Sequence, residues 1–171
     1  MSRNHVNWLM GGLLAGALAL VGGKAMAADP PVTADVLNKL HESDQKEIEA
    51  GKIAQKQGQS KEVRDYGKML VKDHTAADKK VTGLAKKEKI PLSANEPGID
   101  EMKHMAAGST FDHSFARDMV DDHKKDIAEV TEARNNTTDD QLKQLLTDLL
   151  PTLQKHEDAA QKIVDSQANQ K

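Results

Sequence analysis

From residue 33 onward, apolar side chains recur every three to four positions, the period of an α-helix that buries one face. Over residues 33–57 that face is Leu37, Leu40, Asp44, Ile48 and Gly51. Gly58 and Ser60 then mark a tight turn, with Ser60 placed to cap a second helix that reaches about residue 89. Its stripe is Val63, Gly67, Leu70, His74, Ala77, Val81 and Leu84. Gly51 and Gly67 both fall on inward faces, where a missing side chain lets two helices approach closely. Ser109-Thr110-Phe111-Asp112 reads as a capping box that opens a third helix, striped by Asp112, Phe115, Met119, Val120, His123, Ile127 and Val130 and ended by Asn135-Asn136. Thr138-Asp139-Asp140-Gln141 reads as a second box. The fourth helix that follows carries Leu142, Leu145, Leu149, Leu153, His156, Ala160 and Ile163, and Pro151 should kink it.

Residues 90–108 hold Pro91, Pro97 and Gly98 and form a connection of 19 residues, with a short amphipathic helix expected around 99–107. Two short turns and one long middle connection predict an all-α four-helix bundle. The connection is long enough to run back along the bundle and make the second and third helices parallel; an up-down-up-down bundle with a decorated loop is the alternative. The expected boundaries are an N-terminal lead over 28–35, the bundle over 36–165 and a polar, frayed tail over 166–171.

The first residues change the picture of where the bundle works. Arg3, an uncharged apolar run from Trp8, and Ala25-Met26-Ala27 have the form of a secretory signal peptide cleaved after residue 27. The run is shorter than the ~20 residues a membrane span needs. The expected location is the periplasm or the medium. With no cysteine in the chain, neither a lipoprotein anchor nor a disulfide is possible. Residues 1–27 carry two of the 24 basic residues and none of the 27 acids, so the mature charge is −5. Acids and bases are interspersed, and no basic stripe follows a phosphate backbone, which argues against nucleic acid. No further apolar run spans a membrane, and the alternation of an outer-membrane barrel is missing.

The second and third helices match at a fixed offset of 49 residues. Tyr66 aligns with Phe115, Leu70 with Met119, Asp73-His74 with Asp122-His123, Val81 with Val130, and Ser60 with Ser109. This reads as a duplicated hairpin.

Four segments carry a resemblance to a known family. They are Glu47-Ile48-Glu49-Ala50-Gly51-Lys52-Ile53-Ala54; Tyr66 with Met69 to His74; Gly108, Phe111-Asp112 and Met119 to His123; and Leu150-Pro151-Thr152-Leu153 with His156. Together they resemble the ferritin-like domain of unknown function found in exported bacterial proteins, often labelled outer-membrane proteins. The match runs from about Val36 to Val164. It implies a ferritin-like four-helix bundle and brings no settled activity. Di-iron members of the ferritin-like class use Glu-x-x-His pairs. Here the residues three before His74, His123 and His156 are Val71, Val120 and Leu153, so that ligand set is absent.

His74, His123 and His156 each interrupt an apolar stripe, and a buried imidazole needs a partner. His74 lies 14 residues past Ser60 and His123 lies 14 past Ser109, one level in a bundle with parallel second and third helices. Asp44 lies 14 before Gly58 and reaches that level, with Glu47 one turn away. His156, counted from the last turn, falls about six residues, roughly 9 Å, off it. His74, His123, Asp44 and Glu47 therefore form the candidate set for a divalent transition metal such as zinc, with His156 as a further candidate. The alternatives are a buried hydrogen-bond network and a pH-responsive latch. Met102-Lys103-His104-Met105 has copper-like ligand types, but its methionines share the apolar side of a short helix. No triad order, phosphate-binding glycine loop or acid pair stands out, so no enzyme is expected. The expected function is a non-enzymatic envelope module that binds a protein partner or its own copy, or acts in stress. The other reading is a metal-binding bundle.

Overall fold

The computed structural model describes residues 30–93 and 98–169. The expected signal peptide, the first two residues of the lead and the last two of the tail lie outside the described residues. The elements are α1 (Pro30–Gln57), α2 (Lys61–Glu88), α3 (Asp100–His104), α4 (Ser109–Asn136) and α5 (Asp140–Ala168). No strand occurs among the described residues.

Local chemistry sets the helix ends, and some differ from expectation. α1 starts at Pro30, three residues early, because proline is tolerated in a first turn where its missing N–H would be unpaired anyway. The lead over 28–35 is thus largely helical, and α5 runs to Ala168, three residues into the supposed tail. Ser60 caps α2 as expected, accepting from the Val63 N–H. The capping box at Ser109 does not form. Gly108, at φ 130°, is the N-cap and makes no side-chain bond. Asp112 instead accepts the Gln59 and Ser60 N–H groups at 2.9 and 2.7 Å, clamping the α1–α2 turn. At α5 the cap is Asp139 rather than Thr138, accepting from the Gln141 and Leu142 N–H groups. α5 continues through Pro151, which lies on its exposed side.

α1 packs along α2, and α4 along α5; the two hairpins meet through α2 with α5 and α1 with α4. Asp112 ties the start of α4 to the start of α2. Gln141, at the start of α5, meets Lys87 and Glu88 at the end of α2. α2 and α4 are therefore parallel, and the connection between them returns along the bundle. The likeness at offset 49 thus pairs the second helix of one hairpin with the first of the other. A duplicated hairpin would have matched α2 to α5.

Two apolar clusters fill the interior. One holds Leu70, Tyr66, Phe111, Phe115, Met119 and Ile163; the other holds Leu37, Val81, Val130, Leu142, Leu146 and Leu149. Asp44, Glu47, His74, His123 and His156, all buried, form a polar layer between them. α1 and α2 touch backbone to backbone near one end. A Cβ on Gly51 would lie 2.6 Å from the Gly67 carbonyl oxygen, and one on Gly67 would lie 2.6 Å from that of Gly51. Among the described residues no helix is long and apolar enough to cross a membrane.

Candidate metal centre

Each histidine sits near the middle of a long helix, on the face that the apolar period turns inward. His74 comes from α2, His123 from α4 and His156 from α5, and all three are at most 3% exposed. One ring nitrogen from each lies within 4.8 Å of the other two. The ring centroids are 5.1 to 5.8 Å apart.

His156 is therefore in the layer and not one and a half turns away, for two reasons. α4 continues to Asn136 and α5 begins only at Asp140, which reduces the register gap to about three residues, or ~4.5 Å. Helical side chains also lean toward their own N-terminus. In antiparallel neighbours that lean carries the His123 ring away from the α4–α5 turn and the His156 ring toward it, so the tips converge.

The outward nitrogens fix the protons. His123 Nδ1–H donates to the Met119 carbonyl at 2.9 Å. His156 Nε2–H donates to Asp73 Oδ2 at 3.1 Å, where Lys155 Nζ also donates at 3.1 Å. His74 Nδ1–H donates to the Asp44 carboxylate at 2.8 Å. A neutral imidazole carries one proton, so the inward atoms are three lone pairs: His74 Nε2, His123 Nε2 and His156 Nδ1. The last two face each other at 3.2 Å. His74 Nε2 has no hydrogen-bond partner.

Electrostatics keeps the rings neutral. Burial pushes His74 down to about 4, and His156 to about 4 with help from His74. Burial, with His156 and His74 nearby, pushes His123 to about 3. Behind the rings, burial raises Asp73, but the hydrogen bonds from His156 and Lys155 outweigh it and hold its carboxyl below the usual range. Burial, then Asp78, raises Asp44 well above it. Glu47 is pushed up to about 8 by burial, then by Asp126 and Asp122.

Of the residues picked from sequence, His74, His123 and His156 come together. Asp44 stands behind His74 as its orienting acceptor, not among the converging nitrogens. Glu47 is fully buried in the same layer but outside the group of three. Its Oε2 and the Tyr66 hydroxyl are buried without hydrogen-bond partners, and Tyr66 meets His156 edge-on at 6.4 Å. Asp73 was missed as an orienting residue. Its signal was the repeated Asp-His pair: Asp73 reaches α5, and its counterpart Asp122 reaches Lys46 on α1 at 2.7 Å. His104 is exposed while Met102 and Met105 pack against the core, so the copper-like cluster is not assembled. His41 pairs with Asp78 at 2.5 Å.

No curated protein and no solved structure matches the chain. One family does, over residues 21–163, which takes in nearly all of α1 to α5, the histidine layer included. The chain belongs to that family, described as a domain of unknown function (DUF4142).

Proposed function

We propose that this bundle binds one divalent transition-metal ion through His74, His123 and His156. One observation carries the reading: three buried lone pairs converge, and the opposite nitrogen of each ring is held by an acceptor. Metal-ligating histidines characteristically donate their other N–H to a carboxylate or carbonyl, which fixes tautomer and orientation. A proton shared by His123 and His156 would relieve that pair but leave His74 Nε2 unpartnered; a metal ion serves all three. The 3.2 Å between the paired nitrogens is close to the roughly 3.3 Å that two ligands at ~2.05 Å subtend at a tetrahedral zinc. Three imidazoles suit zinc, copper, nickel or cobalt, and leave one position open to water or a further ligand. Asp44 and Asp73 would offset the charge of a dication from behind the rings.

The wider reading is a binding module, not an enzyme, working in the envelope after export. Its support is the form of residues 1–27; a mature protein whose intact mass retains them would contradict export. The antiparallel hairpins joined by a returning connection support a ferritin-like arrangement, with a histidine layer in place of the di-iron carboxylates.

The test uses protein purified without a metal-binding tag and stripped with a chelator. Zinc should bind one ion per chain and raise the melting temperature by several degrees, since a ligand held by the folded state alone at 100-fold its Kd adds about 2.7 kcal/mol. The rise should vanish in His74→Ala, His123→Ala and His156→Ala, persist in His104→Ala and His41→Ala, and shrink in acid as the imidazoles protonate. A melting curve that zinc and the other divalent ions leave unmoved would overturn the reading.

A further inference from the structure

Between α1 and α4, residues of all four long helices line a cleft of about 450 Å³, within the range of small-molecule sites. Its walls are apolar: Val36, Leu40, Ala77, Leu146, Leu149 and Leu153. Apart from the neutral His74, its ionisable lining is one-sided, with Asp44, Asp73, Asp126, Glu129 and Glu132 against Lys39. Asp73 is satisfied by Lys155 and His156, and Asp126 accepts from Ser43. Asp44 is different. Its side chain is 8% exposed, Oδ1 is taken by His74, and Oδ2 is buried with no donor. A buried carboxyl with no partner for its second oxygen is costly whether it stays ionised or takes up a proton, and a cationic donor placed there removes the cost and holds it ionised.

We propose that this cleft binds a lipophilic organic cation, a primary alkylammonium, with its N–H groups on Asp44 Oδ2 and its chain along the apolar walls. The carboxylates exclude a fatty acid of the same length. The alkyl walls favour a chain over a bare ion, because each buried methylene adds about threefold to fourfold in affinity. Charge excess favours an ammonium over a neutral alcohol, which would meet Oδ2 with one hydrogen bond and no charge. The site adjoins the histidine layer through Asp44 and His74 but needs no metal there, and His123 does not line it.

Calorimetric titration of the chelator-stripped protein with n-butyl-, n-hexyl- and n-octylammonium tests this, with n-octanol and octanoate as comparators. One octylammonium should bind per chain, affinity should rise with each methylene, octanol should bind at least tenfold more weakly, and octanoate not at all. Ala77→Phe and Ala133→Phe, at partly exposed positions of the lining, should each weaken octylammonium at least tenfold while zinc still raises the melting temperature. His123→Ala should do the reverse, losing the zinc response and keeping the ammonium. Glu129→Gln, at an exposed position of the lining, should cost a few-fold. Equal binding of octanol and octylammonium would overturn the cationic class. Binding that survives both phenylalanine variants, or no binding at all, would overturn the site. Either failure leaves the metal reading standing, because the zinc response is read separately.

Discussion

His123 Nε2 and His156 Nδ1 face each other at 3.2 Å as two lone pairs, because each ring directs its proton to the opposite side. Two neutral imidazoles held this way have no hydrogen between them, a gap that the proposed metal ion would fill. The orientation of His156 depends on Asp73, so Asp73 should govern metal affinity without touching the metal.

Asp73→Asn should therefore weaken zinc about 10- to 100-fold, the usual cost of losing an orienting partner. The amide still accepts a hydrogen bond but no longer makes His156 more basic or offsets the ion's charge. Competition against a calibrated chelator would measure this. Asp65→Asn, on the exposed face where Asp65 pairs with Lys61 and Lys68, should leave affinity unchanged. Equal affinities in wild type and Asp73→Asn would mean that the aspartate only links α2 to α5.

The glycines of α1 and α2 give a packing prediction with opposite signs at two sites. Gly67→Ala would place a methyl 2.6 Å from the Gly51 carbonyl oxygen and 2.9 Å from Ala54 Cβ, so the helices must separate. The cost should be about 1–3 kcal/mol, as for overpacked cores, and Gly51→Ala should behave alike. Gly83 lies on the same helix, exposed, with nothing near a new Cβ. Gly83→Ala should gain about 0.5–1 kcal/mol from helix propensity alone. Urea melts of the three variants decide it; destabilisation by Gly83→Ala would mean that α2 packs differently.

Much of this was legible before any coordinates. The period of the apolar residues set four helices and their inward faces, and Gly51 opposite Gly67 followed from two stripes each lacking a side chain. The equal spacing of His74 and His123 from Ser60 and Ser109 placed both in one layer, although Ser109 turned out not to cap its helix. Capping motifs failed where an acid had a tertiary use: Asp112 fits the box pattern, yet its carboxylate is taken by the α1–α2 turn. His156 was misplaced because α5 begins only at Asp140, later than its expected start, and because counting residues along an axis ignores the lean of side chains. The tautomers were out of reach, since they depend on which acceptor stands behind each ring. So was the cleft, which comes from how four helices pack together and not from any stripe.

Glu47 supplies the last prediction. Its carboxyl titrates near 8 in the folded protein against an ordinary value of 4.5, chiefly because it is buried, with Asp126 and Asp122 adding to the rise. Between those values the folded chain keeps a proton that the unfolded chain has lost. The unfolded state then binds fewer protons, so stability falls as pH rises, by up to about 1.4 kcal/mol per unit, and levels off above about 8. Asp44, raised as well, acts with the same sign. The histidines act oppositely: with folded values of about 3 to 4 against 6.5, they make stability rise with pH until about 6.5. Above pH 6.5 the carboxyls act without that opposition. Metal-free protein should therefore lose stability from pH 6.5 to 8. Glu47→Gln, which keeps the shape of the protonated acid, should reduce that loss by about 2 kcal/mol. Urea denaturation at half-unit steps, in chelator throughout, gives both curves. Parallel curves for wild type and Glu47→Gln would place the missing proton elsewhere in the layer, with Asp44 as the next residue to replace.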